Sequence, residues 1–273
     1  MTYSLATDPA KPDRANEDFA AVGTSAAVLL DGAGTPPGTR SGCEHGVAWY
    51  ARTLGGLLLA ELGADHSLPD ALAASVDRVC ALHAGTCDLE HSDTPSATVI
   101  AVRWDSSELE YLVLADSVLL LDPKNGVPEA ITDDREAVVG RELRKDMDAL
   151  PTGSPEHTRA FRDYAAALAD HRNRPGGFWV ANTDPGAAYE SITGRIRIDE
   201  LSAVALLSDG ASRLADRFGI TTWRDTLDTL DQHGPEELIR QVRQAEASDP
   251  EGRRWSRGKT HDDATAIYGH PTL

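Results

Sequence analysis

Two stretches of the chain close an apolar run with an aspartate and a glycine: Ala26–Gly34 reads AAVLLDGAG and Val204–Gly210 reads VALLSDG. Apolar runs of this length, bounded by turn residues, suit buried strands. Glycine at the tip lets the backbone turn sharply and come close to whatever the aspartate holds. Two such strands can bring Asp31 and Asp209 together. Carboxylates at close range repel each other and take up protons, and a divalent cation removes that repulsion. Further acids stand at candidate strand ends: Glu17 and Asp18, Asp116, and the pair Asp262 and Asp263. An isolated Asp-Gly pair is more often only a turn, but the set together points to a metal site at the ends of core strands. All-oxygen donors of this kind select Mg²⁺ or Mn²⁺ over Zn²⁺.

The elements that must position these acids are legible in outline. A helix is expected over about 43–63, where Val47, Tyr50, Ala51, Leu54, Leu58 and Leu62 recur at helical spacing. A second helix starts at Ser67, with Pro69 in its first turn and Asp70 at the capping-box position. Its stripe runs through Leu72, Val76, Val79, Cys80 and His83; His83 reads as a satisfied, half-buried core histidine, and His45 as a surface one. SATVIAVRW (96–104) is a β-branched strand. LEYLVLADSVLLLD (109–122) holds two apolar runs, and the break at Asp116-Ser117 reads as a tight turn or bulge. GFWVAN (177–182) is expected to return to the sheet. Helices are expected at about 157–171, over ASRLADRF, and at 222–232 and 235–247, with a last strand in THDDATAIYG (260–269). Residues 140–177 are too long for a bare loop and read as a small flap subdomain. Because helices and strands come in blocks, stacked sheets flanked by helices fit better than a doubly wound parallel sheet.

Composition bounds the rest. At 273 residues, 41% of them hydrophobic, the chain can bury a real core. A net charge of −18 argues against a nucleic-acid or anionic-membrane binder, which needs a positive field. MTYSLATDPAKPDR has no cationic start followed by an apolar core, and no apolar run reaches membrane-spanning length. Cys43, Cys80 and Cys87 show no zinc-type spacing among themselves and read as reduced thiols, Cys80 in a helix core. The expectation is a cytoplasmic monomer. The basic loop RRWSRGK (253–259) is either a contact for an anionic substrate flank or a solvated loop balancing the acids.

The order of the acidic motifs resembles the metal-dependent protein serine/threonine phosphatases of type 2C, the PPM family, in their bacterial single-domain form. The residues that carry the resemblance are Arg14 with Asn16-Glu17-Asp18, Asp31-Gly32-Ala33-Gly34, Ser96-Ala97-Thr98, Ala115-Asp116-Ser117, Ser208-Asp209-Gly210 and Asp262-Asp263. The resemblance implies an α+β fold: a four-layer α-β-β-α sandwich of two antiparallel sheets with a small flap subdomain, residues 1–273 forming one catalytic domain. It implies two Mn²⁺ or Mg²⁺ ions per chain, with a third, weaker ion as a further possibility. Asp31 then matches the bridging carboxylate, with the Gly32 carbonyl on one ion. Asp209 and Asp262 match ligands of the other, and Asp116 with Asp209 matches the third site. Glu17 and Asp18 match the acidic pair around the metal waters, and Arg14 the arginine that grips the phosphate. The implied reaction is hydrolysis of phosphoserine or phosphothreonine in proteins by a metal-bridging water, with no covalent intermediate. Ala33, Ala115 and Val118 depart from the family pattern, which keeps an alternative alive: a pseudophosphatase that binds without turnover.

Overall fold

The computed structural model describes residues 1–34 and 42–271; most of the expected loop TPPGTRSG (35–42) lies outside the described residues. In chain order the strands and helices are β1 (Thr2–Asp8), β2 (Phe19–Val22), β3 (Ala26–Ala33), α1 (Val47–Glu61), α2 (Leu68–His83), β4 (Ser96–Trp104), β5 (Glu108–Leu114), β6 (Val118–Pro123) and β7 (Glu129–Ile131). There follow α3 (Arg135–Leu143), α4 (Lys145–Asp148), α5 (Pro155–Ala169), β8 (Ile192–Arg197), β9 (Leu201–Leu207), α6 (Asp209–Ser212), α7 (Trp223–His233), α8 (Pro235–Ser248) and β10 (Ala264–His270).

The strands form two five-stranded antiparallel sheets, ordered β1-β10-β9-β6-β7 and β2-β3-β4-β5-β8. Three separate cores explain the layering. Ala27, Leu29, Ile100, Val102 and Val113 of one sheet meet Leu119, Leu121, Val204, Leu206 and Ile267 of the other. Val28, Leu30, Val99 and Leu112 point the opposite way, onto α1 and α2. Ala205, Leu207 and Ala266 point onto α7 and α8. The chain is thus an α+β sandwich in four layers, α-β-β-α. Successive side chains alternate faces along a strand, and β3 is buried on both faces. That is why AAVLL is continuously apolar and does not alternate.

Local chemistry starts the helices where the sequence indicated. Ser67 caps α2 by accepting the Asp70 backbone N–H at 3.2 Å. Thr222 and Asp225 form a reciprocal capping box on α7.

Three expectations are corrected. The break at Asp116-Ser117 is neither a hairpin turn nor a bulge, because β5 and β6 lie in different sheets and the chain crosses between them there. Ala115 makes that crossing at φ 69°, a left-handed conformation. GFWVAN forms no regular strand; it makes an isolated bridge, with Ala97 N–H to the Ala181 carbonyl at 2.8 Å and the reverse bond at 3.0 Å. The outer strand of that sheet is instead β8, whose polar, half-exposed residues suit an edge. ASRLADRF is helical only through Ser212, after which the chain winds back so that Phe218 N–H reaches the Arg213 carbonyl.

The region 140–177 belongs to a helical arm that begins earlier, at α3, with α3 and α4 packed on α5. Thr152 N–H bonds the Glu251 carbonyl at 2.7 Å, and His157 Nε2 meets the Arg257 carbonyl at 3.0 Å. These contacts fasten the arm to the loop that precedes Asp262. No helix among the described residues is long and apolar enough to cross a membrane.

Candidate metal centre

Asp31 sits near the end of β3, opposite Thr98 of β4. Its N–H faces Thr98 Oγ1 at 3.3 Å, and that hydroxyl shares a hydrogen bond of 2.5 Å with Ser117 Oγ. The Ser-Ala-Thr and Ala-Asp-Ser stretches therefore meet beside Asp31. From the opposite sheet, the Asp209 N–H reaches Asp31 Oδ2 at 3.3 Å. Glycine is required at two tips. A Cβ on Gly32 would stand 2.5 Å from both the Glu17 carbonyl and Val47 Cγ1, and one on Gly210 would collide with the Asp263 carbonyl.

The pair at 262–263 divides its work. Asp263 spends both oxygens on backbone, accepting Ala10 N–H at 2.6 Å and Glu17 N–H at 2.7 Å. Asp262 faces charge instead: Lys259 Nζ lies 2.7 Å from Oδ1, and Arg213 Nη2 3.5 Å from Oδ2. Burial works against the Asp262 carboxylate, but Lys259 and Arg213 outweigh it and hold its pKa below the usual range.

The other acids are driven the opposite way. Burial pushes Asp31 well up, and the charges of Asp18, Asp209, Asp262 and Asp116 push it further. Burial also raises Asp116, with Glu136 and Asp209 adding to it. Glu17 is raised chiefly by burial. Asp18, 6% exposed, is pushed up to about 7 by burial; the Thr265 and Ser208 hydroxyls beside it pull the other way, and Asp263 and Asp262 add repulsion. Both of its carboxylate oxygens are buried, and neither meets a well-formed hydrogen bond among the described residues, the Thr265 and Ser208 hydroxyls being its nearest polar neighbours. Buried polar atoms are normally satisfied. An orphaned carboxylate within a ring of repelling carboxylates fits a cation with oxygen ligands.

Arg14 is exposed on the rim of a cleft of about 470 Å³, which Glu17, His157, Phe161, Lys259 and Asp262 also line. The cleft runs from the acids to the helical arm. Two charged groups beside the site, Glu136 and Arg213, carry no signal of their own as site residues in the sequence, and a third fits the acid-balancing reading of the basic loop. Lys259 belonged to the basic loop and stands on Asp262. Glu136, from α3, faces Asp116 and Asp209. Arg213 is 3% exposed and bonds Glu246 at 2.7 Å, with Asp209 Oδ2 at 3.7 Å. Its one sequence signal was the spacing of four residues from Asp209, which puts the two on one helical face. Arg257, also in the basic loop, is buried and bonds Asp249, so it braces the fold and does not reach the cleft.

A two-sheet sandwich that gathers carboxylates from β3, the start of α6, the β5–β6 crossing and the approach to β10 defines a class: an α-β-β-α protein whose central acids have the donor chemistry of a hard divalent cation centre. The particular family follows from comparison. The chain matches the protein phosphatase 2C family model over residues 11–243 and belongs to that family. No curated protein matches it in sequence. Among solved structures it is similar to the Mycobacterium tuberculosis serine/threonine phosphatase PstP/Ppp, at 17% identity and TM-score 0.59, over 100% of this chain and 99% of that one. It is similar to the serine/threonine phosphatase Stp1 from Staphylococcus aureus at 13% identity and TM-score 0.59, over 99% and 95%. A PstP catalytic domain solved with two manganese ions aligns at 18% identity and TM-score 0.56, over 98% and 96%. These likenesses establish the shared sandwich.

Proposed function

We propose that the chain is a Mn²⁺- or Mg²⁺-dependent protein serine/threonine phosphatase, a cytoplasmic monomer acting on phosphorylated proteins. The observation that carries this reading is the orphaned Asp18 carboxylate inside the ring of Asp31, Asp209, Asp262 and Asp116. Asp31 and the Gly32 carbonyl would hold one ion, Asp31, Asp209 and Asp262 the second, and Asp116 with Asp209 a third. Glu17 and Asp18 would orient water around them. Bound ions would supply a water of lowered pKa and neutralise charge on the phosphoryl group. Arg14, on the cleft rim, would grip the phosphate oxygens through paired N–H donors. Asp263 keeps Glu17 in place through its backbone, and the helical arm would act as a flap selecting substrate.

The test is hydrolysis of p-nitrophenyl phosphate and of a phosphothreonine peptide with Mn²⁺, with Mg²⁺ and with EDTA, alongside Asp31→Asn and Asp209→Asn. The expected result is metal-dependent turnover, lost in both variants. A folded wild type that never turns over either substrate at any metal concentration overturns the reading.

A further inference from the structure

A second cluster of ligand-type side chains lies where the chain enters α1 and leaves α2. Cys43, His45, His83 and Cys87 place one donor atom each within 4.8 Å of all the others. Cys43 Sγ stands 3.7 Å from His45 Nδ1 and 3.6 Å from His83 Nδ1. Cys87 Sγ stands 3.2 Å from Cys43 Sγ and 3.3 Å from His45 Nδ1. For Zn–S near 2.3 Å and Zn–N near 2.0–2.1 Å, a tetrahedral ion requires donor-to-donor edges of about 3.3–3.8 Å. Four of the six edges thus measure 3.2–3.7 Å, the sulfur–sulfur edge being the short one, and the two sulfurs are much further apart than a disulfide bond of about 2.05 Å.

His83 is not the satisfied core histidine its place on the α2 stripe implied. It is 1% exposed, and among the described residues its Nε2 has no hydrogen-bond partner. The His45 ring, itself exposed, stacks on Trp49 at 4.2 Å, and Trp49 also lies 5.3 Å from the His83 ring, so Trp49 flanks one side of the group. Counting cysteines alone concealed the pattern. It is Cys-x-His at 43–45 and His-x₃-Cys at 83–87, two short ligand pairs brought together by the α1–α2 hairpin.

We infer that Cys43, His45, His83 and Cys87 form a structural Zn²⁺ site, separate from the carboxylate centre. Two thiolates and two imidazoles are the softer donor set that selects zinc, whereas the carboxylate centre is all oxygen. Four protein ligands leave no open position, so the ion staples the fold and does not react with substrate. On binding, each thiol gives up its proton to solvent. The staple joins the turn before α1 to the chain leaving α2, reinforcing the backbone bond from Asp88 N–H to the Gly42 carbonyl at 2.8 Å. Val47 opens α1 and packs on Gly32 and Gly34, so the staple also steadies the wall beside Asp31.

The test uses the full chain, purified under reducing conditions without added zinc or chelator. Metal content by mass spectrometry is expected at about one zinc per chain. After zinc removal, Co²⁺ is expected to titrate to about one equivalent with a thiolate-to-cobalt charge-transfer band and strong tetrahedral visible bands. The same titration in Asp31→Asn/Asp209→Asn must keep those bands, because the carboxylate centre plays no part in them. Cys87→Ser, checked for folding by circular dichroism, should lose them. Folded wild type that carries no zinc and gives no thiolate–cobalt band would overturn the proposal whatever the phosphatase assay shows.

Discussion

Asp18→Asn is expected to stabilise the metal-free protein and to weaken the metal-loaded one. The carboxyl of Asp18 is buried, orphaned and pushed up to about 7, whereas an unfolded aspartate titrates near 3.9. The folded state therefore binds the extra proton between about pH 4 and pH 7. Stability falls as pH rises through that window, and the full penalty is present above it. About three pKa units at 1.36 kcal/mol each set a ceiling of about 4 kcal/mol. Asp31 and Asp116 compete for the same protons, so the expected gain at pH 8 is about 2–4 kcal/mol, or roughly 5–10 °C in Tm for a chain of this size. At pH 5 more than half of that gain should vanish, because wild-type Asp18 is then protonated. The assay is thermal and urea denaturation of EDTA-treated wild type and variant at pH 5 and pH 8, repeated with Mn²⁺. A ligand at a hundred times its Kd adds about 2.7 kcal/mol to the state that binds it. Mn²⁺ should therefore raise wild type far more than the variant and narrow or reverse the difference between them. A variant less stable than wild type at pH 8 without metal, or one with the same pH slope as wild type, would refute the reasoning.

Other substitutions test the surroundings of the site. Ala115→Gly should stabilise the chain by about 1 kcal/mol, since Ala115 holds φ 69° where glycine is unstrained; a fall in the urea midpoint would count against this. Arg213→Met leaves Glu246 buried without its closest guanidinium partner and should destabilise by about 3 kcal/mol, with Glu246→Gln in the same chain recovering a large part of it. Asp263→Ala strips two backbone amides of their acceptor and should lower Tm with or without Mn²⁺. Asp262→Ala also takes a carboxylate from Lys259 and Arg213 and should lower metal-free Tm, but unlike Asp263→Ala it should in addition abolish most of the Mn²⁺-induced rise. If the two aspartates exchange these phenotypes, the division of work between them is wrong.

Much of this protein was legible before any tertiary structure was seen, for local reasons. A strand buried on both faces must be apolar throughout, so β3 and β9 announced themselves. Ser67 and Thr222 mark helix starts because capping is a contact over three residues. The ordered acidic motifs carried the family resemblance across the whole length. What stayed hidden depends on distance in three dimensions. No local pattern shows that β5 and β6 part into different sheets, or that a polar segment such as ITGRIR closes a sheet edge. Asp262 and Asp263 are identical in sequence terms. Only the fold sends one to two backbone amides and the other to Lys259 and Arg213. Cys43 and His45 meet His83 and Cys87 because two helices pack side by side. The chemistry of such a cluster comes from atoms a few ångströms apart whose positions in the chain are far apart, and packing alone sets that separation.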